Sequence, residues 1–306
     1  MTQGHCTPTH RAMRPAPVPA PFLVAALAVA LFSLMDALMK HASIAIGAYS
    51  ALLIRSLIGT LVMLPVWRLG QAPWPHGERL RIHVLRAVIS CAMALLFFHA
   101  LVLLPLAEAI ALSFIAPLIA LYLAAAVLGE RIGPKAVIAS LLGVVGVILI
   151  TIGRFEHGMP DRQSIEGIAA VLVSACLYAW NLILQRRIAQ MANPAEIALS
   201  QHAITAILLL LAAPWFARMP GWGELGILGL AAILATISLL LMAWAYARAQ
   251  AQVLVPVEYT GFLWAVLFGW LFFAETVAIP TIFGGLLIVV GCLVAAPRRE
   301  PEQMAA

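Results

Sequence analysis

Charge is scarce in this sequence. Only 10% of its 306 residues are Asp, Glu, Lys or Arg, whereas soluble domains carry about 25%. With 64% hydrophobic residues as well, the chain lacks the polar surface needed to face water on all sides. Lipid must serve as part of its solvent. Cysteine is also sparse: Cys6, Cys91, Cys176 and Cys292 lie far apart, three of them within apolar segments. That spacing suits neither a disulfide framework nor a zinc site. The sequence has no His-Glu-x-x-His run, no acidic metal cluster and no phosphate-cradling glycine loop. The usual signatures of hydrolytic, metal-dependent and nucleotide-dependent enzymes are therefore missing. No catalytic residue, metal or cofactor is expected. The net charge of +5 would suit nucleic acid in a soluble protein. Here the basic residues sit in short loops, where they report membrane topology, so no nucleic acid partner is expected.

Long apolar runs are what the chain has in abundance. They fall at 22–40, 48–67, 82–103, 107–128, 134–152, 166–185, 195–216, 224–246, 253–273 and 279–296. Crossing a hydrocarbon core of roughly 30 Å takes about 20 helical residues. Backbone polar groups in lipid must be satisfied within each segment, so helices are expected, and the runs do not alternate as barrel strands do. The first 21 residues are polar and proline-rich and read as a disordered cytoplasmic tail. The run from Phe22 reads as a membrane helix, not a cleaved leader, because another span follows within a few residues. With the N-terminus placed in the cytoplasm, thirteen of the eighteen basic residues fall on the cytoplasmic side, Arg86 among them, and four on the outer side. This bias predicts a multi-pass protein of the cytoplasmic (inner) membrane with both termini inside.

The chain also resembles itself at an offset of 145 residues. Glu130 aligns with Glu275, Gly146 with Gly291, and Leu141–Gly146 with Leu286–Gly291. Polar residues within spans align too: Asp36 with Asn181, Lys40 with Gln185, Arg55 with Ser200 and His99 with Trp244. Five spans per half is an odd number, so the second half enters from the opposite face. Such an inverted repeat suits a carrier that alternates between inward-open and outward-open states. The expected organisation is a tail at 1–21, a first repeat at 22–152, a linker at 153–165, a second repeat at 166–296 and a cytoplasmic tail at 297–306. The fold class is an all-α integral membrane protein of ten transmembrane helices.

Several segments resemble the ten-helix EamA-type branch of the drug/metabolite transporter superfamily. In the first half these are Leu104-Pro105-Leu106-Ala107-Glu108-Ala109, Phe114-Ile115-Ala116-Pro117-Leu118, Leu128-Gly129-Glu130-Arg131 and Gly143–Gly146. In the second half they are Pro256-Val257-Glu258-Tyr259-Thr260, Ala274-Glu275 and Gly284–Gly291. The chain departs from the family's pattern in having Ala274, not glycine, before the second glutamate, and in the displaced Pro256. The resemblance implies a metabolite exporter or importer.

Charged groups within a span cost at least about 2.5–3.5 kcal/mol each on insertion scales, so they pair or line a cavity. Asp36 and Arg55 lie at similar depth in the first two spans. They read as a substrate or coupling site, or else as a structural pair joining two helices. His99 and Glu108 flank the outer connection between the third and fourth spans. Either could carry a proton, or Glu108 could be solvated at the interface. Glu258 and Tyr259 follow Pro256 and could build the cytoplasmic half of a substrate site, with a helix-dipole role as the plain alternative for Glu258. Asn181, Gln201 and Trp244 complete the candidate set, although tryptophans near span ends commonly anchor at the interface. Lys40 is expected to reach the outer interface. Glu130 and Glu275 read as structural, each bonding the N-terminus of the helix that follows it, with Gly146 and Gly291 as repeat markers.

The function expected is a secondary transporter moving a small organic metabolite by alternating access, coupled to protons or to exchange. Amino acids and their derivatives, riboflavin-like vitamins, nucleotide-like cofactors and metallophores are the candidate substrates. A membrane-embedded scaffold or enzyme is the alternative. The bilayer and the solute are the expected partners, with a homodimer as an admissible assembly.

Overall fold

The computed structural model describes residues 19–70, 75–128, 134–153, 162–189, 191–246, 248, 254 and 257–295. Glu130, Pro256, residues 1–18 and residues 296–306 lie outside this set, while 19–21, read as the end of the tail, are already helical. Among the described residues the fold is all-α. Six helices are long and apolar enough to cross a membrane. They are α1 (Pro19–Ile46), α2 (Ala48–Leu69), α3 (Gly77–Leu103), α7 (Arg162–Ala189), α8 (Pro194–Phe216) and α9 (Trp222–Tyr246). The shorter apolar helices are α4 (Leu106–Ser113), α5 (Ala116–Leu128), α6 (Pro134–Gly153), α10 (Gly261–Phe273) and α11 (Ile279–Ala295).

The helices extend further than the apolar runs suggest. α1 begins at Pro19 and continues to Ile46, and α7 begins at Arg162. One residue, Gly47, joins α1 to α2 with φ of +85°. Only glycine adopts that conformation cheaply. The run at 107–128 is not one helix. It breaks between α4 and α5, where the N–H groups of Phe114 and Ile115 donate three residues back, to the carbonyls of Ala111 and Leu112. Pro117 has no N–H to continue the ladder. The second half breaks at the corresponding place, where Thr260 and Phe262 bond back to Val257 and Tyr259.

The 145-residue offset recurs in the element bounds. α3 and α9 begin at Gly77 and Trp222, and α5 and α10 span Ala116–Leu128 and Gly261–Phe273. Packing repeats it as well. α1 packs on α9 and α3 on α7, contacts that exchange under the offset, while α2 with α8 and α6 with α11 are self-paired. The bundle is therefore pseudo-symmetric. At the two breaks, Phe114 meets its own counterpart Tyr259 edge to face, centroids 5.2 Å apart at 85°. A residue touching its repeat partner lies close to the axis relating the halves.

Ala274 stands in the left-handed region at φ of +52°. This is the position where the resembled family has glycine. A Cβ there costs about 1–2 kcal/mol. Glycine would relieve that strain but would add freedom to the unfolded chain, so Ala274→Gly is expected to stabilise by about 0.5–1 kcal/mol net. A higher midpoint in thermal unfolding checks this.

Candidate functional site

α2, α3, α8 and α9 enclose the main cavity, of about 510 Å³. Its mouth reaches exposed residues at helix ends, Gly70, Asn193 and Pro194. Its deep end reaches Phe32 of α1 and Thr236 of α9. With the arginine-rich side taken as cytoplasmic, the mouth faces the cytoplasm. The walls are mostly apolar. Into them project Arg55 from α2, Arg86 from α3, and Gln201 and His202 from α8.

The guanidiniums are poorly partnered. Arg55 lies 5.5 Å from the centre of the Phe98 ring and 3.9 Å from the Met35 sulfur. Asp36 acts on it electrostatically, but the two form no ion pair within 4.0 Å. Arg86 is only 7% exposed. Among the described residues Arg86 makes no hydrogen bond or ion pair, and its Nε, like that of Arg55, is buried without a partner. Gln201 donates to the Thr205 hydroxyl at 3.2 Å, while its own Oε1 is left unbonded. His202 packs so tightly against α2 that a Cβ on Gly59 would come within 2.7 Å of its ring.

The outer end is closed by a different set of residues. Lys40 is 4% exposed, so it does not reach the interface. It donates to the Leu104 carbonyl at 2.7 Å, pairs with Glu275, and lies 5.0 Å from the centre of the Phe273 ring. The other oxygen of Glu275 accepts from the Leu106 N–H at 2.8 Å. Glu275 therefore caps α4, in the other half of the chain, and not the following helix α11. Gly269 leaves room for it, since a Cβ there would lie 2.7 Å from that carboxylate.

The remaining sequence candidates are dispersed. Asn181 accepts from the Ser90 hydroxyl at 2.9 Å, tying α7 to the cavity wall. His99 is exposed and bonds Glu166 at 2.9 Å, beside a separate outer pocket of about 440 Å³. Trp244 lies under the Arg248 guanidinium at 4.3 Å. Glu258 is exposed, and Tyr259 packs on Phe114. Glu108 is buried within α4, so it is not solvated at the interface. Nearer the mouth, buried Glu196 bonds His83 at 3.1 Å and pairs with Arg79, joining α8 to α3.

Two cavity residues escaped sequence reasoning. Arg86 was counted with the loop cations, although it lies inside its own apolar run at 82–103. His202 carries no formal charge and therefore raised no flag. The depth of each within its span was the available signal.

The profile of the EamA-like transporter family matches residues 20–152 and 165–296, which is each half of the repeat in turn. The chain belongs to this family. Like other EamA-like proteins it is a secondary transporter of small molecules, not an enzyme, and a multi-pass protein of the inner membrane. It is 31% identical over 277 residues to the pseudopaline exporter CntI of Pseudomonas aeruginosa, covering 89% of this chain and 94% of that one. It is 25% identical over 281 residues to an uncharacterized transporter of Helicobacter pylori, covering 89% and 93%. A crystal structure with 22% identity superposes with a TM-score of 0.61 over 90% of this chain and 96% of the other, a likeness of fold.

Proposed function

We propose that this EamA-like transporter loads a small organic metabolite from the cytoplasm into the cavity around Arg55 and Arg86 and releases it outside by alternating access. One arrangement carries the reading: the cavity opens at the arginine-rich end while Lys40, Glu275 and the α4 N-terminus close the opposite end. That is the geometry of an inward-facing carrier. The shorter helices complete ten crossings, five per half in opposite orientation. The contact of Phe114 with Tyr259 puts both helix breaks beside the axis of exchange. An outward-open state then follows when the halves trade conformations, so that the lock at Lys40 parts and the mouth near Asn193 closes. Energy comes from a proton gradient or from exchange. Export is the favoured direction, in keeping with the exporter of Pseudomonas aeruginosa. Amino acid derivatives and metallophores, both polar and small, fit the cavity better than a large cofactor does.

Flux and counterflow in proteoliposomes test this reading. Removing a buried, desolvated charge that contacts the ligand costs about 2–5 kcal/mol of binding. Arg55→Ala at full expression should therefore lower flux at limiting solute by roughly thirtyfold or more. Normal flux in that variant would remove Arg55 from the site, and absence of counterflow with the wild type would remove the carrier reading.

A further inference from the structure

The transport reading leaves the chemistry of the solute open, and the cavity narrows it. Three basic side chains converge there. His202 lies within electrostatic range of both Arg55 and Arg86. No acidic residue is among the described residues lining the cavity. Asp36 acts on Arg55 from outside the lining, but among the described residues no carboxylate pairs with Arg86. Both guanidiniums line the same largely apolar chamber and have lost most of their water. Buried charges are ordinarily paired. Here the Nε of each is buried without a partner.

A structural role would have given Arg86 a carboxylate partner, as it gave one to Arg79 in Glu196 and to Arg187 in Glu78 at 2.5 Å. Both of those pairs lie in the same part of the fold, so acids are available to α3 and α7 where structure needs them. The acid missing from the cavity is one the solute can bring. Guanidinium forks match carboxylates in two parallel bonds. Arg55 lies toward the deep end, beside Phe98. Arg86 lies nearer the mouth, one helical turn from the His83–Glu196 pair. Gln201 lines the same space, and its Oε1 has no partner, so a rotation of the side chain would offer that oxygen to a donor on the solute.

We propose that the cavity takes an organic anion carrying at least two carboxylates, one held by Arg55 and the other by Arg86, with an N–H or O–H group bonded to Gln201. This rests on the transport reading above. A cation or an uncharged solute would bring no counter-charge to Arg86 and fits the cavity less well. The acidic groups on the solute would also balance the like charges of the empty site, so loading and neutralisation occur together.

The test uses the full chain in living cells and the cells' own metabolite pool as probe. Mass spectrometry compares medium and cytoplasm of cells expressing the wild type, Arg55→Gln, Arg86→Gln, Arg86→Lys or the exposed outer-side control Arg162→Gln with cells lacking the protein. Compounds whose efflux depends on the wild type are expected to carry two or more carboxylates. Their efflux should fall at least tenfold in Arg86→Gln and Arg55→Gln, fall less in Arg86→Lys, and hold in Arg162→Gln. Wild-type-dependent compounds that are neutral, cationic or singly acidic would overturn the proposal even if every variant misfolded. So would full efflux by well-expressed Arg86→Gln. If no compound depends on the wild type, the transport reading falls, and this inference with it; that result is distinct from efflux of the wrong chemical class.

Discussion

Glu275→Gln, made alone, is expected to destabilise the folded protein by about 3–5 kcal/mol, the cost of stranding one member of a buried ion pair. Lys40 would keep its bond to the Leu104 carbonyl and its place beside Phe273, but it would lose the Glu275 carboxylate in an environment where it is 4% exposed. The reverse variant, Lys40→Met, strands a carboxylate that is less deeply buried and still capped by the Leu106 N–H. Its loss should be smaller. The double variant Lys40→Met with Glu275→Gln is the informative one. Replacing both members of a buried pair is often close to neutral, and glutamine can still accept from Leu106. Most of the stability should return. Thermal unfolding in one detergent, read by size-exclusion of the surviving monodisperse fraction, measures all three. Unchanged melting in both single variants would show that the pair does not hold the outer end shut.

The second large effect concerns α6 and α11. A Cβ on Gly146 would stand 2.5 Å from the Gly284 carbonyl oxygen, and one on Gly284 would stand 2.5 Å from the Gly146 carbonyl oxygen. Ile288 and Ile150 complete each side, with Cγ1 2.6 Å away. Both obstacles include backbone, which cannot rotate aside. Small residues are what allow membrane helices to approach this closely. Overpacking of even one methyl group costs about 1–3 kcal/mol, and valine adds two more carbons at a backbone crossing. Gly146→Val and Gly284→Val should each abolish the monodisperse folded species. Gly143→Ala should be milder, because what it meets is the ends of the Leu118 and Ile115 side chains. Gly226→Ala meets nothing within 4 Å and should hold its stability or gain up to about 1 kcal/mol from helix propensity. Equal yield of all four variants would refute the crossing.

Much of the fold can be read directly from residue order. Lipid leaves the backbone one economical solution per segment, so apolar runs become helices whatever packs on them. The repeat is legible for a similar reason: the element bounds of α5 and α10 reproduce the 145-residue offset between Glu130 and Glu275. The helix break at Phe114 is less legible. Pro117 marks it, but proline is also common at ordinary starts of helices, so the run at 107–128 looks continuous until its hydrogen bonds are traced.

The site is legible only in part. Arg55, Asp36 and Gln201 stand out because polar groups inside spans are rare. Lys40 sits close enough to a span end that reaching water or headgroups is the plain expectation, and Arg86, deeper in its span, is masked by the loop cations Arg79 and Arg81 that precede it. Which way they turn depends on what fills the neighbouring volume. Lys40 turns inward because Glu275, just after the end of α10 and 235 positions later in the chain, meets it. Arg86 turns inward because α8 and α9 leave a chamber beside it.

Little charge and long apolar runs already specify a membrane-embedded helical protein, since those properties follow from solvent and backbone chemistry acting locally, and the 145-residue offset adds its two related halves. Three-dimensional packing alone settles which of the few charges meet. Lys40 pairs with Glu275, while Arg55 and Arg86 line a shared cavity without an ion pair among the described residues, because partner choice depends on distances between helices that no local pattern encodes.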